Sequence, residues 1–328
     1  MADALWDRKE GAGASPVEGR AAGALSEPRA DLVILAEREP ASFLRAACLA
    51  WARRAELAFT DEPAVSRLFS QERVPEAEVT DEELEAQAGP ELLAFYRRCR
   101  RSAALERRLF FALRHGGADT AQVARAALAD IARFGFPYVL NKASDAGKAL
   151  ASRARQVMVE LHRLKGFVRF VPAQVGGEDP PGRVPTLWAP ACGPGRGAKG
   201  EPSSGVGLPQ QAPAGQERQT VSVGRAETPH HVGDLLALYF HERFGRYRLV
   251  LLVGPQAYIC REAGEVLTDD AEPYRQALAR DDFERFWLAY YGSQGIARRA
   301  NPRLRQQRLP KKYWSWVREA AQFASDGP

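Results

Sequence analysis

Cysteine is scarce: four in 328 residues (Cys48, Cys99, Cys192 and Cys260), far apart and with no CxxC pair. That spacing argues against a disulfide scaffold and against a zinc or iron–sulfur centre on this chain. There is no run of about 18 apolar residues, the length a membrane-spanning helix needs. The first residues hold no cationic stretch followed by an apolar one, so no secretory leader is read and a cytoplasmic location is expected. GxxxxGK[ST], GxGxxG and HExxH are absent, as is any Ser/His/Asp nucleophile motif, so no catalytic centre announces itself. No cofactor is expected. Lysine is also rare, at 7 residues against 39 arginines. Arginine suits bidentate phosphate contacts. With Ala, Gly and Pro abundant too, the bias is better explained by a GC-rich coding sequence.

What is present is ordinary globular material. The chain is 45% hydrophobic and 27% charged, with a net charge of only +5, so any strong basicity is local. Residues 1–30 have no apolar periodicity and read as disordered. DLVILAE, from Asp31, reads as a strand. Ser42 is a candidate cap for a helix carrying Phe43, Leu44, Ala47 and Trp51. Further helices are expected over 91–113, 120–134 and 145–165. The first of these places Arg97, Arg98, Arg100, Arg101, Arg107 and Arg108 on a solvated face. The last puts Leu150, Ala154, Val157, Leu161 and Leu164 on one stripe, with Gly166 as its stop.

FVRFVPAQ then reads as a strand. Residues 172–218 hold 10 Gly and 9 Pro in 47 positions, a flexible insertion much longer than an ordinary loop. QTVSVGRAE resumes as a strand, able to pair across the insertion with FVRFVPAQ. A helix near 232–244 follows, then a hairpin of RLVLLVG and AYICRE around Gly254–Pro255, and an aromatic-striped helix over 282–294. The fold class is α+β: a helix-rich N-terminal half (31–171) with a small antiparallel sheet (219–297), in a single domain interrupted by the insertion.

The tail, IARRANPRLRQQRLPKKYWSW from Ile296, is the most distinctive segment. Between Arg298 and Arg318 it carries eight cations and no acid, with Tyr313, Trp314 and Trp316 behind them. Dense cations with clustered aromatics suit a phosphate backbone and its bases. Pro302 and Pro310 rule out one continuous helix. The aromatic residues are candidate anchors that dock the tail, leaving Arg303, Arg305, Lys311 and Lys312 to reach a partner.

NPRLRQQRLPKKYW resembles the Asn-Pro-Arg-Leu…Pro-Lys-(Arg/Lys)-Tyr-Trp ending of a bacterial family labelled a probable DNA metabolism protein. ELHRLKGFVRF, Glu160 to Phe170, is similar to that family's Glu-x-His-Arg-x-x-Gly-Phe-x-Arg-Phe segment. HHVGDLLALYFHERF, from His230, looks like its His-containing strand-to-helix segment. The resemblance covers roughly residues 31–316. It implies a domain found alone or ahead of a uracil-DNA glycosylase-like domain, encoded beside a radical SAM protein. The implied partners are therefore DNA, a radical SAM protein and a uracil-DNA glycosylase-like protein. The chain departs from the family at Pro229–Val232, Leu238–Phe240, Val253–Gly254 and Arg308, where family His or Asp residues are replaced.

On these grounds the catalytic candidates are His162, Glu160 and Asp234, and the nucleic-acid candidates are Arg163, Arg169, Arg303, Arg305, Arg308, Lys311 and Lys312. His230 and His231 are adjacent and point opposite ways on an extended chain, so no metal site is expected. Three functions stay open: a nucleic-acid-binding accessory protein for DNA repair or modification, a DNA-processing enzyme using His162, and a protein adaptor.

Overall fold

Proline at the first helical position needs no hydrogen-bond partner for its nitrogen, and Pro40 uses this to start the first helix. In the computed structural model, residues 29–61, 72–75, 80–175, 219–244, 248–260, 265–278, 307 and 309–317 are described. The chain divides into two compact units, Met1–Met158 and Val159–Pro328, with the division inside one long helix. The sequence reading has one domain, with its helical part ending at 171. Expectations for residues 1–28, for the insertion from 176 to 218, for the helix over 282–294 and for the tail from 298 to 306 lie outside the described residues.

In the first unit, β1 (Arg29–Ala36) is the centre of a three-stranded parallel sheet, between β2 (Ala55–Phe59) and β3 (Glu72–Pro75). The helix α1 (Pro40–Arg53) makes the crossover from β1 to β2 and buries Phe43, Leu44, Leu49 and Trp51. Ser42 does not cap it: the helix begins two residues earlier, and Ser42 Oγ instead accepts the Glu37 amide at 2.8 Å.

Next come α2 (Asp81–Ala88), α3 (Pro90–Arg100) and α4 (Ala103–Ala112). The expected single helix over 91–113 is therefore two. Ser102 adopts extended backbone and accepts the Leu105 amide at 3.4 Å, a cap that starts α4. Arg108 also departs from the solvated face expected of it. It is buried and donates to the carbonyls of Val139 and Leu140 at 3.2 and 3.0 Å. Those carbonyls belong to α6 (Phe136–Leu140), which follows α5 (Thr120–Phe134). The long helix α7 (Asp145–Phe167) starts behind Ser144, whose Oγ accepts the Gly147 amide, and all five residues of its expected stripe are buried. It runs through Gly166 to Phe167, so the strand expected from Phe167 begins three residues later.

The second unit is built on a five-stranded sheet in the order β4 (Phe170–Val175), β5 (Gln219–Ala226), β6 (Leu249–Val253), β7 (Gln256–Cys260), β8 (Val266–Asp270). The expected pairing of β4 with β5 is present and antiparallel, with Phe170 opposite Gly224. Pro172 sits on this edge strand, where a missing donor is tolerated. The sheet is mixed rather than antiparallel, because β5 and β6 run parallel, joined by the crossover helix α8 (Gly233–Phe244). The β6–β7 hairpin turns at Gly254, whose φ of 58° suits a tight hairpin loop. All five β6 residues are buried, as befits a strand covered on both faces. Tyr274, on α9 (Glu272–Leu278), packs with Val223, Val250, Leu252 and Ile259.

A Cβ added to Gly233 would lie 2.2 Å from the Tyr258 ring. Gly233→Ala should therefore cost about 1–3 kcal/mol through forced displacement of that ring. Chemical denaturation followed by tryptophan fluorescence is the check, and an unchanged midpoint would refute this close approach.

Candidate functional site

Positions 160 and 162 of a helix lie about 200° apart around its axis. On α7 this sends Glu160 inward, at 3% exposure, and leaves His162 exposed. A buried carboxylate requires donors. Glu160 finds them in the tail, more than 150 residues away. Tyr313 Oη donates to Glu160 Oε2 at 2.6 Å, and Lys312 Nζ donates to the same oxygen at 2.5 Å. Among the described residues Glu160 Oε1 is buried without a hydrogen-bond partner.

Local structure delivers these two donors. Pro310 precedes a single 3-10 turn, Lys311–Tyr313, and the turn aims Tyr313 inward while Lys311 stays exposed. Tyr313 is fully buried, with its ring 5.1 Å from Phe167 and 6.0 Å from Trp316. Trp314 donates its indole N–H to the Leu309 carbonyl at 3.1 Å, closing the turn on itself. Trp316 is buried, and its indole N–H has no partner among the described residues. The aromatic residues of the tail are thus anchors, as the sequence suggested.

Burial pushes the Tyr313 phenol well above its ordinary range. The hydrogen bond and negative charge of Glu160 act in the same direction, and the Arg163 guanidinium opposes them. Arg163 is therefore within reach of the phenol, one helical turn below Glu160 on α7. Glu160, Arg163, Lys312 and Tyr313 form one constellation: a buried anion tied to a neutral phenol and flanked by two cations.

The other candidates fall elsewhere. Arg169 is exposed just past α7 and donates to the Gly166 and Val168 carbonyls at 2.7 and 3.2 Å. Asp234 is in the first turn of α8. Its charge and, more strongly, burial push the Cys260 thiol up to about 12. Lys311 Nζ stands 6.0 Å from the Trp314 ring. Arg303, Arg305 and Arg308 lie outside the described residues. No group of three or more His, Cys, Asp or Glu side chains able to hold a metal ion occurs among the described residues. No described helix is long and apolar enough to cross a membrane.

Several contacts escaped sequence reasoning. Tyr313 is the partner of Glu160, and Lys165 Nζ stands 4.2 Å from the Tyr239 ring. The only signal for the first was the inward phase of Glu160, on the side of α7 that carries Val157, Leu161 and Leu164.

Residues 214–319 match the family model described as a domain of unknown function, DUF4130. A DUF4130 domain is present. It takes in β5 through β8, α8, α9 and the docked tail. Glu160 and Arg163 precede it, so the tie from Tyr313 joins the DUF4130 segment to residues outside the match. No curated protein and no solved structure matches the chain.

Tyr313→Phe removes one of two donors from a buried carboxylate. It should cost about 1–3 kcal/mol and loosen the tail, read as faster proteolysis near Lys311–Lys312. The same contact carries a pH dependence. Above about pH 10 an unfolded tyrosine ionises while Tyr313 stays protonated, so the folded state binds more protons and stability falls as pH rises. The stability difference between the parent and Tyr313→Phe should shrink over that alkaline window. A difference that holds constant would refute the assignment.

Proposed function

We propose that this chain is a nucleic-acid-binding accessory protein of bacterial DNA repair or modification, working with a radical SAM partner that supplies the chemistry. The observation that carries this reading is the tie at Glu160, which holds Lys311 and Lys312 against the last turns of α7, where Arg163 lies. Two basic segments far apart in sequence thereby contribute to one site. Lys311 is exposed, and Lys312 keeps about half of its side chain in solvent while its ammonium group pairs with Glu160, so Lys311 is the more open of the two to a phosphate. The partner and the repair context come from the resemblance of the tail and of Glu160–Phe170 to the DNA metabolism family.

A contact through about three or four cations gives a log–log salt slope of about −3 to −4 on duplex DNA. Lys311→Ala should weaken binding and make that slope shallower by about 0.9. Fluorescence anisotropy of a labelled duplex between low and moderate salt measures both. Absence of binding at low salt, or binding that ignores salt, overturns the reading.

One observation favours an enzymatic alternative: the partnerless Oε1 of Glu160 beside a phenol and an ammonium group. In that case a proton-transfer role falls to Glu160 rather than to an acid/base pair with His162, since the two side chains diverge. Turnover of uracil-containing DNA, abolished in Glu160→Gln and retained in His162→Ala, is the expected pattern. A parent protein with no turnover removes this alternative.

A further inference from the structure

An ammonium group committed to one anion is withheld from another, and Lys312 is so committed. Its Nζ lies 2.5 Å from Glu160 Oε2, although about half of its side chain is in solvent. Lys311, the next residue back, is exposed, with its Nζ 6.0 Å from the Trp314 ring. No carboxylate pairs with Lys311 among the described residues. Two neighbouring cations on one 3-10 turn thus differ in what they can offer a phosphate.

The hold on Lys312 has several parts. Glu160 is 3% exposed, so water serves its charge poorly and a cation must stand close. Tyr313 Oη donates to the same oxygen at 2.6 Å, and the Tyr313 ring lies 4.8 Å from Lys312 Nζ, so the phenol fixes carboxylate and ammonium together. Neither backbone is a free end: Glu160 is on α7, and the turn carrying Lys312 is closed by the bond from Trp314 to Leu309. Ser315 Oγ donates to Glu227 Oε2 at 3.2 Å and pins the turn a second time. Attraction within a buried pair is screened by salt far less than attraction to a phosphate in solvent. Taking the ammonium away would leave the Glu160 charge uncompensated, a larger penalty than the gain from one exposed phosphate contact.

We infer that Glu160 is an internal competitor for phosphate: an autoinhibitory contact that withholds Lys312 and keeps the tail's affinity for a nucleic-acid backbone below what its charge allows. An ammonium and a phenol O–H converge on one carboxylate oxygen, the kind of donors an anionic phosphate oxygen would take. The phenol is buried and stays with Glu160, whereas Lys312 is near enough to solvent to change partners once the carboxylate charge is gone. This inference rests on the nucleic-acid reading under Proposed function and adds the residue that limits it.

The test is anisotropy of a labelled duplex with the full chain. Glu160→Gln keeps the shape of the side chain and an oxygen for Tyr313 but gives up the charge. It should bind duplex more tightly than the parent, with a gain about threefold larger at about 50 mM salt than at about 200 mM, because one added cation steepens the log–log slope by about 0.9. The gain should vanish in a Lys312→Ala background. Tyr313→Phe loosens the tail but leaves Lys312 on Glu160, so it should weaken binding, which separates release of Lys312 from loosening of the tail. A measurement on the parent alone covers misfolding of the variant. Bound duplex should protect Lys311 from acetylation, read by mass spectrometry, and leave Lys312 labelled as in the free chain. An unchanged or shallower slope in folded Glu160→Gln, tighter binding in Tyr313→Phe, or equal protection of both lysines overturns the inference and leaves the nucleic-acid reading standing. Failure of the parent and of Glu160→Gln alike to bind duplex at low salt overturns both.

Discussion

A carboxylate withdrawn from water must be met by donors, and the second unit is arranged around meeting one. Glu160 is inward on α7 because of its phase in the helical stripe, and the donors to its Oε2 among the described residues come from the far end of the chain. Removing one partner of such a buried group leaves charge uncompensated, a much larger penalty than the net worth of the contact when made. Tail docking and α7 orientation are therefore coupled through a single oxygen atom. Pro310, the 3-10 turn and the Trp314 indole bond to Leu309 shape the tail so that Tyr313 and Lys312 arrive together.

This coupling gives Lys312 two claims on it. Its ammonium neutralises Glu160, yet about half of the side chain remains in solvent. Lys311, with no such tie, is directed outward. Among the described residues the segment thus divides into an anchoring phenol, an ammonium group tied to Glu160 and one directed to solvent. In the first unit, Arg108 does a comparable structural service: a cation in a row of exposed arginines is drawn inward to hold two carbonyls of α6.

Legibility in the sequence followed the strength of local signals. The α7 stripe, α5, α8, the β4–β5 pairing and the hairpin at Gly254 were all readable, since each rests on regular spacing or on glycine at a turn. The strands β2, β3 and β8 were missed. They are four or five residues long, too short for alternation to register, and β3 owes its existence to β1 offering an edge. The break at Ser102 was hidden because Leu92, Phe95, Cys99 and Ala103 keep helical spacing across it. The antiparallel expectation failed at β5–β6, where α8 makes a crossover that no residue in either strand announces.

The sequence by itself determined which residues carry charge, which carry aromatic surface, and the phase of each helical face. That was enough to mark Tyr313 and its neighbours as candidate anchors, while Glu160 and His162 were grouped together as catalytic candidates although the helical period sets them on opposite sides of α7. Only the tertiary structure decided which donor answers which acceptor. Partner choice across some 150 residues depends on where two backbones meet, and periodicity within one segment holds no information about another. For the same physical reason Arg108 could be counted as a surface cation until the carbonyls of α6 were brought within its reach.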